Sequence, residues 1–316
     1  MNAPRADEVD AYALVGPTAV GKTALSLALA PALGAEIISL DSRQIYRGMD
    51  IGTAKATPEE RARVPHHGLD LVDPNEVFSA GAYARYVRGV LAELRARGHR
   101  ALLVGGTGFY LRALTHPLFA EPPLDPERRR ALRVQLERHD DATLRRWLAA
   151  LDPESAARLA RWGGRQRLLR ALELPLLTGR PLSWWQRHAP PEAPPLRVAV
   201  VVLERPKAEL DERIATRARA MMAAGLVDEV RRLLAAGYRP SDPGFSATGY
   251  AELVPHVEGR CDEAAALKAL VRNTRAYSRR QRTWFRHQLP TGTPWLDARR
   301  PSAELVREIL RLWNLA

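Results

Sequence analysis

Short apolar runs and longer stretches of helical periodicity alternate along the first hundred residues. Ala11–Val15 is a continuous apolar run of strand length, and Thr23–Leu33 is an alanine- and leucine-rich helical stretch that Gly34 terminates. Glu36–Leu40 (Glu-Ile-Ile-Ser-Leu) predicts a second strand ending at Asp41. A polar stretch follows as far as Pro58 and predicts a loop, and loops of that length are more often functional than idle. Ser79 suits the N-cap of a helix running to Arg97, which Gly98 stops. Ala101–Val104 predicts another buried strand, delivering Gly105-Gly106-Thr107-Gly108 at its carboxyl end. The alternation predicts a mostly parallel sheet with helices on its faces.

The pattern then changes. Asp125–Arg187 is helical throughout, has no clear strand, and gives way to a proline-rich linker, His188–Pro195. Leu196–Leu203 is nearly continuous in β-branched residues, as expected of a strand buried on both faces. Helices are predicted at Lys207–Ala224, Leu226–Ala236, Ala247–Val257 and Asp262–Phe285, then a short Pro294–Leu296 segment and a last helix, Ser302–Trp313. The expected organisation is an α/β core of residues 1–124 and 196–316, a helical insertion at 125–187, and a linker at 188–195.

Charge adds to this picture. The chain of 316 residues carries a formal net charge of +12. The insertion holds fourteen arginines, no lysine and eight acids, which is half the net charge in about a fifth of the length. A basic helical insert between strands suits a polyanionic partner. Genome composition alone explains arginine in place of lysine, but not the excess of bases over acids. A single cysteine, Cys261, excludes an internal disulfide framework and a cysteine-rich zinc site. No apolar run reaches membrane-spanning length, and Met1–Asp10 is polar and acidic. A cytoplasmic monomer with no membrane partner is the expectation.

The chemistry starts between the first strand and its helix. Gly16-Pro17-Thr18-Ala19-Val20-Gly21-Lys22-Thr23 has the G-x-x-x-x-G-K-[ST] spacing in the strand–loop–helix context where it cradles a diphosphate, and it predicts a P-loop NTPase-like fold. Backbone N–H groups gather round one oxyanion, the helix N-terminus and Lys22 add positive charge, and the Thr23 hydroxyl can hold Mg²⁺. Lys22 is one of only four lysines among 48 basic residues, at a site where a compact ammonium fits among phosphate oxygens. Ligands of open α/β sheets sit beyond the strand carboxyl ends. Asp41 therefore stands either near the bound diphosphate with its carboxylate free or as a turn aspartate beside Ser42. Thr107 either donates to a phosphate or bridging oxygen or caps a helix. Arg213 and Arg217, at i and i+4, either close over the diphosphate or lie on a solvated face. The strand ending at Val104 runs into glycines where many P-loop hydrolases carry an aspartate for Mg²⁺, which weakens a plain ATPase reading.

Gly16–Thr23, the fifteen residues Asp41–Lys55, Val104–Tyr110, Gln166–Glu173 and Thr274–Arg286 together resemble the tRNA dimethylallyltransferase (isopentenyltransferase) family of bacterial type, in the expected order over nearly the whole chain. The resemblance implies transfer of a dimethylallyl group from dimethylallyl diphosphate to N6 of the adenine beside the tRNA anticodon, with Mg²⁺. It implies Asp41 as general base and Thr107 on the bridging or phosphate oxygen. It also implies tRNA contacts from Asp41, Ser42, Arg43 and Gln44, from Thr107 and Arg129, and from Gln166, Arg167, Leu168, Leu169 and Arg170, with the insertion gripping the anticodon stem–loop. The sequence departs from the family pattern at Gly163-Gly164, where an Asn-Asp pair is usual, and at Ser246 and Ala251, where basic residues are usual.

Two other readings compete. One is a small-molecule kinase using ATP, with Asp41 orienting an acceptor hydroxyl; the other is a non-catalytic RNA-binding module with a vestigial phosphate site. Asp41–Lys55 disfavours the first and the intact Lys22-Thr23 pair the second. His66 and His67 lack the spaced partners of a metal site, and Trp184 and Trp185 suit the insertion's core. Arg279, Arg280, Arg282 and Arg286, interleaved with Trp284 and Phe285, suit a nucleic-acid surface as well as a charged helix face.

Overall fold

A computed structural model of the chain describes residues 9–162 and 164–315. The chain divides into two compact units, one running up to His116 and resuming at Pro195, the other Pro117–Pro194. The first begins β1 (Ala11–Val15), α1 (Lys22–Leu33), β2 (Ala35–Leu40), α2 (Pro58–Arg63), β3 (His66–His67), α3 (Ala80–Ala96), β4 (Arg100–Gly105) and α4 (Gly108–Thr115). The second is α5 (Pro126–Glu137), α6 (Asp141–Leu151), α7 (Pro153–Trp162), α8 (Arg165–Thr178) and α9 (Leu182–His188). The first unit resumes with β5 (Val198–Glu204), α10 (Lys207–Ala223), α11 (Leu226–Ala235), α12 (Tyr250–Val257), α13 (Glu263–Gln288), β6 (Trp295–Asp297) and α14 (Ser302–Leu312).

The sheet is parallel throughout, in the order β3-β2-β4-β1-β5-β6. Because side chains alternate along a strand, Tyr12 and Leu14 face one layer with α1 and α14, while Ala13 and Val15 face another with α3, α4 and Phe285 of α13. The register sets Leu40 level with Gly105 and Gly105 level with Val15. Three loops therefore leave neighbouring strands at one height: the glycine loop, Asp41-Ser42 and Gly106-Thr107. β1 is followed by an outward step to β2, with β4 filling the gap, so the crevice lies at a switch point of the sheet.

Most expected elements are found within a residue or two. α2, the two-residue edge strand β3 and the eight-residue α4 were not legible, and the Pro294–Leu296 segment is the edge strand β6. β5 is not fully covered: Val198 and Val200 are half-buried, because β6 pairs only with its last three residues. The helix expected from Ala247 begins at Tyr250. Gly249, at φ 110°, turns the chain there, and Pro243–Ser246 is a separate 3-10 turn.

The long loop after β2 is fastened at two points. The Lys55 side chain is buried, and its ammonium donates to the Tyr46 carbonyl at 2.8 Å and to Asp50 and Asp70 at 2.6 Å each. From α11, the buried Glu229 carboxylate accepts the backbone N–H groups of Asp50, Ile51 and Gly52 at 3.0, 2.9 and 3.1 Å and the Tyr250 hydroxyl at 2.6 Å. A Cβ on Gly52 would lie 2.5 Å from the Tyr250 ring, so glycine is required there. An amide in place of that carboxylate loses the charge-assisted acceptor of three N–H groups. Glu229→Gln is expected to lower unfolding free energy by about 1–3 kcal/mol in urea titrations, while the exposed neighbour change Asp228→Asn is neutral. Equal midpoints for the two variants would show that the loop does not hang on this carboxylate.

Candidate active site

The glycine loop is held open for a ligand. A Cβ on Gly16 would meet the Leu203 carbonyl at 2.5 Å, so β5 approaches the loop as closely as a bare backbone allows. Gly21 caps α1 without a side chain, which leaves the first-turn N–H groups of the helix to an anion. Lys22 folds back over the loop, its ammonium donating to the carbonyls of Gly16 at 2.9 Å and Pro17 at 2.8 Å. Arg213 and Arg217 leave α10 toward the same loop. Arg213 Nε donates to the Ala19 carbonyl at 2.7 Å, and half-buried Arg217 lies in the field of Asp41. Both line the cleft, Arg213 exposed at its rim and Arg217 half-buried.

Asp41 is a turn aspartate that also lines the cleft. One carboxylate oxygen accepts the Arg43 N–H at 2.8 Å in a local turn, and the group also lines the cleft opposite Lys22 and Arg217. Burial raises its pKa above the usual carboxylate range; the Arg43 N–H, Lys22 and the Arg43 guanidinium oppose that rise. Burial pulls Lys22 down to about 7, with Arg217 adding and Asp41 opposing, and burial lowers Arg217 as well. Burial thus works against the charged forms of Lys22, Arg217 and Asp41 alike.

Thr107 precedes α4 with no side-chain capping bond. Its hydroxyl oxygen accepts the Ser42 N–H at 3.1 Å and also bonds Tyr277, so contact with a ligand oxygen requires an exchange of partners. Arg43 donates to Ser246 Oγ at 2.7 Å, which gives Ser246 a role in holding that loop. Gln44 fastens the same loop from inside: it accepts from Ser39 Oγ at 2.7 Å and donates to the Ala54 carbonyl at 3.1 Å.

Two site residues escape sequence reasoning, although both lie in the Thr274–Arg286 segment. Gln281, buried on α13, accepts the Thr18 N–H at 2.9 Å and donates to the Gly106 carbonyl at 3.0 Å, joining the glycine loop to the end of β4. A Cβ on Gly106 would lie 2.1 Å from that amide nitrogen. Tyr277 lines the cleft beside it, and burial followed by the Asp41 charge pushes its hydroxyl up to about 12. The cleft bounded by these groups has a volume of about 980 Å³.

Among the described residues no group of three or more His, Cys, Asp or Glu side chains is placed to hold a metal ion. His66 bonds the Val64 carbonyl and His67 the buried Glu36. A divalent cation here would rest on the exposed Thr23 hydroxyl and on ligand oxygens, a donor set that suits Mg²⁺.

The helical unit gathers its own cations. Glu173, buried on α8, accepts from Arg129 at 2.9 Å, Arg133 at 3.1 Å and Arg170 at 2.8 Å, and Arg129 and Arg170 also pair with Glu121. Gln166 accepts from Arg133, and Arg167 is exposed on α8. Leu168 and Leu169, expected at the RNA, are instead buried in the core of this unit. Helical periodicity turns them inward while Gln166, Arg167 and Arg170 stay at or near the surface. Trp185 packs against that core, and Trp184 stacks on His188 with Arg180 over its ring. Gly163, one of the two departures from the family pattern, lies outside the described residues.

Two family profiles match the chain: IPP transferase over residues 44–288 and isopentenyl transferase over residues 9–70. A tRNA dimethylallyltransferase of Syntrophobacter fumaroxidans is 46% identical over 285 residues, covering 90% of this chain and 82% of the relative. One from a Roseiflexus species is 45% identical over 305 residues, covering 94% and 97%. The crystal structure of a full-length tRNA isopentenylpyrophosphate transferase from Bacillus halodurans superposes with a TM-score of 0.70 at 34% identity, covering 97% of each chain. A eukaryotic dimethylallyltransferase, crystallised acting on tRNA, shares the fold with a TM-score of 0.78 at 24% identity, over 91% of this chain and 73% of that one.

Lys22 offers a test of the anion nest. Its value near 7 leaves it largely neutral above that pH, and a bound diphosphate favours the ammonium, lifting the value back toward the 10.5 of free lysine. Binding of inorganic pyrophosphate to the wild-type chain is therefore expected to take up close to one proton more than binding to Lys22→Arg at about pH 8.5, and no more at about pH 6. Calorimetry in buffers of different ionisation enthalpy reads the difference; identical uptake at both pH values would place Lys22 outside the nest.

Proposed function

The chain belongs to the IPP transferase family, and from that premise we propose that it transfers the dimethylallyl group of dimethylallyl diphosphate to N6 of the adenine 3′-adjacent to the anticodon in tRNA, releasing diphosphate. It is an enzyme, a prenyltransferase of tRNA modification. The observation that carries the mechanism is one cleft lined by the Asp41 carboxylate, the glycine loop, Lys22, Arg213 and Arg217.

The adenine amino group is a weak nucleophile because its lone pair is drawn into the ring. In the proposed reaction N6 attacks C1 of the prenyl group, the C1–O bond breaks, and its electron pair leaves with the diphosphate. The N6 proton passes to Asp41, whose raised pKa suits a group that must first be ionised and then accept a proton near neutral pH. The N–H groups of Gly21, Lys22 and Thr23 at the start of α1, with the Lys22, Arg213 and Arg217 side chains, stabilise charge on the leaving diphosphate, an electrostatic contribution that usually dominates such catalysis. Mg²⁺, held by Thr23 and the diphosphate, would neutralise part of that charge. Ser42 and Thr107 hold the Asp41 turn in register with β4.

A stacked adenine cannot enter such a cleft, so the base is extruded from the anticodon loop. Arg129, Arg167 and Arg170 of the helical unit supply cations for the stem–loop, and Gln166 a neutral amide beside them. No helix among the described residues is long and apolar enough to cross a membrane; the reading places the enzyme in the cytoplasm as a monomer. The kinase alternative gains no support: the relatives are prenyltransferases, and β4 ends on Gly105 without an acid.

The test is incubation of the chain with unmodified tRNA and labelled dimethylallyl diphosphate, ATP being the competing donor. Label is expected in tRNA from the first donor only. Asp41→Asn is expected to lower kcat by about 10²–10⁴-fold while binding tRNA and pyrophosphate as the wild type does. Wild-type turnover in that variant would remove Asp41 as the base.

A further inference from the structure

Beside the glycine loop lies a second, smaller pit of about 70 Å³. Thr18, Asp41, Arg217 and Tyr277 line both it and the main cleft, so they form its mouth. Beyond the mouth Arg43, Thr248 and Thr274 line one part of the pit, and α10 gives it an apolar face. Ile214, Ala218 and Met221 line it from α10, at i, i+4 and i+7 and hence on one helix face, and Leu270 lines it from α13. Ala218 and Leu270 are buried and Met221 is half-buried. The helices give the pit a direction. Met221 stands about one turn beyond Arg217, and Leu270 about two turns beyond Tyr277, at about 5.4 Å per turn.

We propose that Met221 and Leu270 form a floor that limits the prenyl donor to one five-carbon unit, with Ala218 leaving the space that unit occupies. The inference rests on the function proposed above. A diphosphate seated in the nest fixes its C1 carbon at the shared mouth, and the hydrocarbon beyond C1 must leave water. Each buried CH₂ contributes about 0.8 kcal/mol, so the tail goes to the face that Ile214, Ala218, Met221 and Leu270 present at the shared mouth. A second isoprene unit would extend into the space that Met221 and Leu270 fill. Leu270 belongs to a packed core with Leu226, Val230 and Tyr250 and is fixed there, whereas the unbranched Met221 is the more yielding of the two.

The test uses the full chain with unmodified tRNA, Mg²⁺ and either labelled dimethylallyl or labelled geranyl diphosphate. The wild type is expected to prefer the five-carbon donor in kcat/KM. Met221→Ala, and Met221→Ala with Leu270→Ala, are expected to shift the ratio toward geranyl by about tenfold or more. Ala218→Leu is expected to raise KM for dimethylallyl diphosphate by about tenfold, with inhibition by inorganic pyrophosphate unchanged because the nest is untouched. The floor is overturned if Met221→Ala and Ala218→Leu bind pyrophosphate normally yet keep the wild-type donor preference and donor KM. It is overturned alone if the wild type uses geranyl and dimethylallyl diphosphate equally well. A wild type that transfers neither prenyl group to tRNA refutes the proposed function, and the floor with it.

Discussion

Desolvation of like and unlike charges in one cleft is the constraint on which the site depends. Lys22 and Arg217 are pulled away from their charged forms by burial, and Asp41 is pushed toward its neutral form. Lys22 and Arg217 meet the Asp41 carboxylate beside the glycine loop, and a diphosphate on the helix N-terminus is the anion proposed to complete that balance. The same arrangement gives the carboxylate a raised pKa without quenching it in a direct ion pair: it accepts the Arg43 backbone N–H and not the Lys22 ammonium. In the proposed reaction, leaving-group stabilisation and proton removal arise from one balance of charge and burial.

Such a balance needs rigid walls, and these are built from contacts far apart in sequence. Gln281 ties the glycine loop to Gly106, Glu229 and Lys55 tie down the loop that begins at Asp41, and Thr107 holds Ser42 beside β4. Each buried anchor satisfies several polar groups at once, so removal of one strands the others. Glycine at 52 and 106 is the counterpart of this fastening, because Tyr250 and Gln281 occupy the volume a side chain would need.

These distances also explain what was legible beforehand. The glycine loop, the strands and the Asp41 strand end are local patterns of spacing and hydropathy, and they were read with the right neighbours. Gln281 and Tyr277 were not singled out, since nothing in the local pattern of a long basic helix tells that one face meets residues about 260 positions earlier. Leu168 and Leu169 were assigned to RNA because a motif names consecutive residues, whereas a helix sends consecutive residues to different faces. Arg129 and Arg170 prove to have a structural task as well: buried Glu173 orients them, so arginine on this unit is organised and not merely abundant. α4 was missed because its first residue is glycine and it spans only eight positions.

The central claim is that leaving-group nest and base act on the same space. A crystal structure of the chain with inorganic pyrophosphate and an unmodified anticodon stem–loop measures it most directly. The account predicts pyrophosphate on the backbone N–H groups of the glycine loop and the extruded adenine N6 within about 2.6–3.2 Å of the Asp41 carboxylate. An adenine still stacked in its loop, or an N6 turned away from Asp41 with pyrophosphate in place, would contradict it.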